Sequence, residues 1–473
     1  MEDFLNIHIM RKILLVVCIL SCTLVSQSQY NGQISNDRLA KIKTFHQKQD
    51  RNVALINAIS NNSVSALALS RDHIGKTDHE FKYKVKVNGI TNQKSSGRCW
   101  MFTGLNVLRP EVISRYNLTG FEFSTNYLYL FDLLEKSNLF LNSVRESAHE
   151  PITSKKVEWL LKSPVGDGGV WNSFTNLVEK YGLVPKSAMP ETFHSEKTST
   201  LNKIIKRKLR EYALELRQMS FDNIAQETVE ERETVMLSEI YHILVLHLGT
   251  PPEEFEWRFR DRDGLISEAK LFTPISYRDI VFPELKFDDY IMLMDDPTRE
   301  YYKLYEIDLD RNVLEGKNWQ YVNIPAEEIK KFAMESIKMD QAMYFSCDVG
   351  KQLESKAGIL SINNYDFESL YGVKFGMNKR DRILTFESGS SHGMALVGVD
   401  VNEKEEPTKW LLENSWGEKS GNKGYLTMTD EWFDEYMFRV VVKKEFVSNK
   451  VLKILELDPI ILPPWDPMFL PDR

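Results

Sequence analysis

Apolar positions change period along the chain. Over Asn36 to Gln49 they recur at helical spacing inside a polar stretch, and Phe81-Lys82-Tyr83-Lys84-Val85-Lys86-Val87 alternates as a half-buried strand does. Gln93 to Arg98 reads as a polar loop. Trp100, Phe102, Leu105 and Leu108 then predict a buried helix that opens on Cys99 and stops at Pro110. Further helices are expected over Ser124–Ser137 and Trp171–Tyr181, the second preceded by Gly168-Gly169. Between Ser195 and Ser346 charged helical stretches dominate, among them Leu201–Arg217 and Glu227–Leu248, the latter closed by Thr250-Pro251-Pro252. Past Cys347 the pattern becomes that of short strands, at Met394–Val401, Trp410–Glu413, Gly424–Met428 and Phe438–Lys443. Pro463-Pro464-Trp465-Asp466-Pro467 excludes helix and predicts an extended path across a surface.

A chain of 473 residues exceeds the usual single core, so cooperating units or one core with a large insertion are expected. With 42% hydrophobic and 27% charged residues it has the make-up of a globular protein, and a net charge of −8 supplies no overall field for a nucleic-acid backbone. Arg11-Lys12, the apolar run Ile13–Leu20 and the small residues up to Ser28 have the layout of a secretory signal peptide. The run is too short to span a bilayer, which takes about 20 residues. Cleavage after Ser28 would start the mature chain at Gln29, and Cys22 also permits a lipoprotein reading. Loss of this segment removes Cys18 and Cys22 and leaves Cys99 and Cys347, which excludes a disulfide framework and suggests a thiol kept for chemistry.

A cysteine attacks a carbonyl as thiolate, and a helix N-terminus and a neighbouring imidazolium both favour that form. Cys99 opens the predicted helix. His392 stands at the mouth of an apolar strand, where small Gly393 and Ala395 leave room for a base. Gln93, six positions before Cys99, could join the Cys99 N–H in holding an oxyanion. Asn414 ends another strand with an amide oxygen able to fix one imidazole tautomer, and Trp416 could shield that bond from water. Singly, each has an ordinary explanation: a small buried thiol, a surface amide, a histidine in a turn. In the order Gln, Cys, His, Asn they indicate a thiol peptidase. Cys347 reads as packing. His242 and His247 are five positions apart, the wrong offset for one helix face, and read as ordinary helix residues. Asn61 and Asn117 begin glycosylation sequons that matter only on a secretory route. No metal or organic cofactor is called for.

Asn92-Gln93-Lys94-Ser95-Ser96-Gly97-Arg98-Cys99-Trp100, Ser391-His392-Gly393-Met394 and Asn414-Ser415-Trp416-Gly417 resemble the bleomycin hydrolase and aminopeptidase C branch of the papain-like cysteine peptidases. The likeness continues through Asp167-Gly168-Gly169, Glu179 to Lys186, Met189-Pro190-Glu191-Thr192, Leu248 to Pro252 and Pro464 to Met468. Ser96 stands where secreted papain relatives carry a disulfide cysteine. The resemblance implies an α+β, papain-like two-lobed core with a large helical insertion, and an assembly of six copies with active sites on an internal channel. On that reading residues 1–28 are the signal peptide and 29–194 an N-terminal arm and helical lobe with Cys99. Residues 195–346 are a hook-like helical insertion for oligomerisation, and 347–473 a β-rich lobe with His392 and Asn414 whose tail returns toward the cleft. The 293 positions between Cys99 and His392 exceed the usual papain spacing of about 130–150, and the insertion accounts for the excess.

By the same resemblance Gly168 and Gly169 would pair with an extended peptide, with Trp171 near a side-chain pocket and Trp416 bordering the substrate. The C-terminal carboxylate would meet the substrate's N-terminal amine and restrict cleavage to the aminopeptidase mode. Here the tail ends Phe469-Leu470-Pro471-Asp472-Arg473, bulkier than in that branch, and the expected export also departs from its generally cytoplasmic members. Arg473 therefore belongs to the expected substrate site. The expected activity is removal of N-terminal residues from peptides; the alternatives are an endopeptidase with relaxed restriction and a non-catalytic hexameric peptide-binding assembly.

Overall fold

A computed structural model describes residues 32–48, 53–73, 75–466 and 468. The signal peptide, Cys22, Phe469 and Arg473 lie outside the described residues. Among the described residues, 32–48 and 53–67 belong to a small unit of their own, built on the helices Asn36–Lys48 and Val53–Asn61. From Ala68 on the chain forms a single larger unit in which helices and one large sheet each bury an apolar face. No helix among the described residues is long and apolar enough to cross a membrane.

The helical half is a packed set comprising Cys99–Arg115, Thr125–Glu146, Trp171–Tyr181, Ser199–Phe221 and Gln226–Leu248. Local signals set several of their starts. The Ser124 hydroxyl accepts the Tyr127 N–H at 3.1 Å, and Thr192 and Thr273 each form a reciprocal capping box with the serine three residues on. The Cys99 helix runs past Pro110 to Arg115, because a proline forfeits one backbone bond while Val112 and Ile113 beyond it are buried. Thr125–Glu146 likewise outruns its expected end, since Leu139, Phe140, Leu141 and Val144 continue the buried face.

In chain order the strands are β1 (Tyr83–Lys84), β2 (Phe255–Trp257), β3 (Lys270–Phe272), β4 (Tyr290–Met294), β5 (Lys303–Ile307), β6 (Gln320–Asn323) and β7 (Met343–Cys347). They continue with β8 (Leu353–Glu354), β9 (Ile359–Leu360), β10 (His392–Val401), β11 (Pro407–Glu413), β12 (Tyr425–Thr429), β13 (Met437–Lys443) and β14 (Ile460–Leu462). β2 and β3 make a separate hairpin. The main sheet runs β14-β5-β6-β4-β13-β7-β10-β11-β12-β9-β8, with β1 on the side of β10. Its central strands are covered on both faces, so β7 and the first eight residues of β10 are buried throughout. Met394, Leu396 and Val399 join one apolar cluster with Trp410, Leu412 and Met428, while Ala395 and Val397 join Val85 and Leu411.

The long helices expected across 195–346 end at Leu248, and after them only Pro274–Val281 and Ala326–Lys338 are α-helical before β7. By Tyr290 the chain has entered the main sheet, and β4 to β7 all lie in it before residue 347. Their short apolar runs, such as Ile291–Met294, carry no period that separates a buried strand from a buried helix. The strand expected over Phe81–Val87 shrinks to Tyr83–Lys84, with Val85 adding one bond to Val397. The proline-rich end also differs. After β14 it turns rather than running extended: Asp466 N–H donates to the Pro463 carbonyl at 3.1 Å, Arg299 grips the Asp466 carboxylate, and Met468 is buried.

The Cys99 helix is fastened to the sheet by buried polar contacts. Arg109 Nη2 donates to Glu413 Oε1 at 2.5 Å and to the Gly89 carbonyl at 2.8 Å, and Asn106 Nδ2 donates to Thr91 Oγ1 at 3.0 Å. Burial pushes the Glu413 carboxyl up to about 7 against the pull of Arg109, so the pair specifies an alignment more than it adds net stability. Arg109→Leu strands a buried carboxylate and is expected to lower the unfolding free energy at pH 8 by about 3–5 kcal/mol, with Arg109→Leu/Glu413→Leu recovering most of it. Urea titration followed by tryptophan fluorescence checks this; a loss below about 1 kcal/mol for the single variant would show the fastening to be dispensable.

Candidate active site

Cys99 is the first helical residue of Cys99–Arg115, with partial exposure and no acidic residue in the first turn to offset the helix dipole. β10 brings its first residues to this turn. A Cβ built on Gly393 would lie 3.2 Å from Thr103 Oγ1 and 3.5 Å from the Trp100 Cα, so the backbone next to His392 lies against the start of the Cys99 helix.

His392 is 6% exposed, and its Nε2 lies 2.8 Å from Asn414 Oδ1. The Ser415 N–H donates to the same oxygen at 2.8 Å. An amide turned the other way would set NH2 against that donor, so the oxygen is the atom that faces the ring. Nε2 thus carries a hydrogen, and in the neutral ring Nδ1 is the bare, basic nitrogen. Trp416 packs on the imidazole with ring centroids 4.7 Å apart. Burial pushes the His392 pKa down to about 4, and the bond to Asn414 recovers only part of that fall. The ring does not hold a proton alone at neutral pH; an anion beside it, such as a thiolate, is what would keep it charged.

Gln93 is tied to the same strand end. Its N–H donates to the Ser415 carbonyl at 2.8 Å, its Oε1 accepts from Ser415 Oγ at 2.6 Å, and the Gly417 N–H donates to the Thr91 carbonyl at 3.0 Å. Gly417 is required there: its φ is +80°, and a Cβ would sit 2.6 Å from Asn92 Nδ2. Gln93 Nε2 gives one hydrogen to the Ser96 carbonyl at 2.7 Å and retains a second.

The Gly168-Gly169 segment runs along Trp100. Trp100 Nε1 donates to the Asp167 carbonyl at 2.7 Å, and a Cβ on Gly169 would meet the Trp100 ring at 2.7 Å. The Gly168 carbonyl accepts from Lys136 Nζ at 2.6 Å, which leaves Gly169 the freer of the two to meet a peptide backbone. Trp171 is buried in an aromatic wall with Phe174, Phe287, Tyr290 and Tyr344, and lines a cavity of about 450 Å³. Gln93, His392, Asn414 and Trp416 therefore meet in one place beside the helix that begins at Cys99, whereas Trp171 stands back from it.

Sequence reasoning passed over Ser415, Asp167, Arg98 and Glu191, whose roles depend on partners distant in the chain. Cys347 was read as packing only. Cys347 is buried, as expected, but is the register partner of His392 across β7 and β10, and burial together with the Asp348 and Cys99 charges pushes its thiol well up. That thiol stays protonated. Among the described residues no group of three or more metal-ligating side chains converges, and His247 contacts His194 with ring centroids 4.5 Å apart.

A histidine depressed in the folded state takes up a proton on unfolding below its ordinary 6.5. Its contribution to stability is thus whole above pH 6.5 and disappears as pH falls through about 4. In the Cys99→Ala background, adding His392→Gln should flatten the fall in stability between pH 6.5 and 4 by about 3 kcal/mol. Parallel pH dependence of the urea midpoints with and without His392 would contradict the depressed ring.

Residues 33–469 match the model of the peptidase C1-like family. The chain is 40% identical to human bleomycin hydrolase over 412 residues, covering 85% of this chain and 90% of that one. It is 35% identical to aminopeptidase C of Streptococcus thermophilus over 437 residues, covering 92% and 98%. The crystal structure of PepW from Lactobacillus rhamnosis HN001 superposes with a TM-score of 0.90 at 36% identity, covering 92% of this chain and 98% of that one. The α+β architecture with a helical half and a sheet-based half is therefore papain-like. The chain belongs to the peptidase C1-like family and is a cysteine peptidase.

Proposed function

We propose that Cys99 is the nucleophile of an aminopeptidase, His392 its acid and base, Asn414 the residue that orients the ring, and Gln93 an oxyanion donor. The observation that carries this reading is the 2.8 Å contact of His392 Nε2 with Asn414 Oδ1 under Trp416, which leaves Nδ1 as the proton acceptor. The Cys99 thiol proton passes to Nδ1, and the sulfur attacks the scissile carbonyl carbon. The Cys99 N–H and the second Nε2 hydrogen of Gln93 then hold the oxyanion. As the C–N bond breaks, the imidazolium gives its proton to the leaving amine, and a thioester remains. Water, deprotonated by the imidazole, releases the acyl residue and restores the thiol.

Limitation to N-terminal residues is supported by the 35–40% identity to proteins named aminopeptidase C and bleomycin hydrolase. Gly169, along the Trp100 ring, would pair with the peptide backbone; Gly168 and Trp416 would border the substrate, Trp171 would act from the aromatic wall behind through Tyr344, and Arg473 belongs to the tail that would meet the free amine. Purified protein should hydrolyse aminoacyl amides, and Cys99→Ala should lose at least about 10³-fold in kcat/KM. N-acetylated versions of the same peptides should resist cleavage. Equal rates on free and blocked peptides would favour the endopeptidase reading, and full activity in Cys99→Ala would remove the nucleophile assignment.

Export by the Arg11–Ser28 segment and assembly of six copies belong to the same proposal, the first resting on the apolar run Ile13–Leu20 and the second on the family likeness. N-terminal sequencing and light scattering of the protein recovered from its own cells check both. A chain still beginning at Met1 or Met10, or a monomeric mass, would count against the corresponding part.

A further inference from the structure

The loop from Gln93 to Arg98 decides where the Gln93 amide points, and it is held without any covalent tie. Lys94 takes the left-handed conformation at φ +55°, its N–H accepted by Asn92 Oδ1 at 2.9 Å, so the loop needs partners to stay in place. Arg98, the residue before Cys99, is fully buried, with its guanidinium 5.3 Å from the ring centroids of both Phe102 and Tyr129. A guanidinium so far from water requires a counter-charge, and Glu191 supplies it from a distant segment. Nη1 donates to Oε1 at 3.2 Å and Nη2 to Oε2 at 2.8 Å, a bidentate pair. The Thr125 hydroxyl donates to Oε1, and the Ser195 hydroxyl to Oε2 at 2.5 Å. Burial pushes the Glu191 carboxyl up, yet Arg98 and these hydroxyls hold it below the usual carboxylate range.

From Arg98 the chain of bonds runs to Gln93. Arg98 Nε donates to Ser96 Oγ at 3.1 Å, Ser96 Oγ donates to the Gln93 carbonyl at 2.7 Å, and the Ser96 carbonyl takes one Gln93 Nε2 hydrogen at 2.7 Å. With Oε1 fixed by Ser415 Oγ, the amide has one orientation and one hydrogen to spare. A second carboxylate steadies the same loop, as Asp167 Oδ2 accepts the Gly97 N–H at 2.7 Å.

We propose that Glu191 is a positioning residue for catalysis: through the Arg98 guanidinium and the Ser96 hydroxyl it sets the loop that aims the Gln93 amide at the oxyanion. This rests on the assignment of Gln93 as an oxyanion donor. Neither Glu191 nor Ser96 touches substrate; both act through Gln93, so their effect should vanish once that amide is gone.

The test is a double-mutant cycle on the full chain with an aminoacyl amide substrate. Gln93→Ala should lower kcat by roughly 10²-fold or more. Ser96→Ala and Glu191→Gln should each lower kcat by ~10-fold with KM within about twofold, while Ser96→Thr, which keeps the hydroxyl, retains most of the rate. In the Gln93→Ala background the same substitutions should cost less than about twofold further. Alkylation of Cys99 by iodoacetamide should keep its rate in Ser96→Ala, because the thiol and imidazole are untouched. Full additivity with Gln93→Ala, or a matching loss in alkylation rate, overturns the inference and leaves the peptidase reading standing. Absence of thiol-dependent hydrolysis in the unsubstituted protein overturns both. Should Glu191→Gln not fold, Ser96→Ala alone decides the outcome, since it removes one exchangeable hydroxyl and leaves the buried ion pair intact.

Discussion

The proposed chemistry depends on a buried imidazole, His392, that a neutral amide holds at Nε2. Asn414 offers an oxygen but no charge, so it fixes the tautomer of His392 without making the ring a strong base. Basicity must then come from the partner that loses the proton. That requirement fits a thiol on the first residue of a helix whose first turn carries no acidic residue, and a ring covered by Trp416. The neutral amide keeps proton transfer close to balanced.

Precision in such a site comes from what surrounds it. The Thr91–Gln93 segment pairs with Ser415–Gly417, so Gln93 is tied by main-chain bonds to the residues that directly follow Asn414. The Cys99 helix is carried to that pairing by Arg109, Glu413 and Asn106. Cys99, Gln93 and His392 thus come from separate stretches of chain but are held in a common frame. Such bracing suits a mechanism in which fractions of an ångström matter.

The residues of the candidate site were legible in the sequence because each is tied to a local signal. Cys99 follows a polar loop and opens an apolar helical period, His392 precedes small residues on an apolar strand, and Asn414 closes another. The surrounding frame was not legible. Arg98 reads as one more charged loop residue, and its burial becomes apparent only once Glu191, 93 positions on, is beside it. The sheet half was under-read for a related reason. Runs such as Ile291–Met294 and Met343–Cys347 are buried on both faces, so they carry no alternation and merge with the helical stretches before them. The course after Pro463 was misjudged because a turn held by Arg299 cannot be inferred from prolines alone.

The strand order has a consequence for synthesis. β13 is inserted between β4 and β7, and β7 is in turn the neighbour of β10, which begins at His392. The middle of the sheet is therefore incomplete until Met437–Lys443 has left the ribosome, when nearly all of the chain has been made. A nascent or prematurely terminated chain can form the helical half by local contacts, but it lacks the strand that seals the interior beneath the base. For a protein that would cut peptides, this ordering withholds the completed sheet centre from every fragment that stops short of β13.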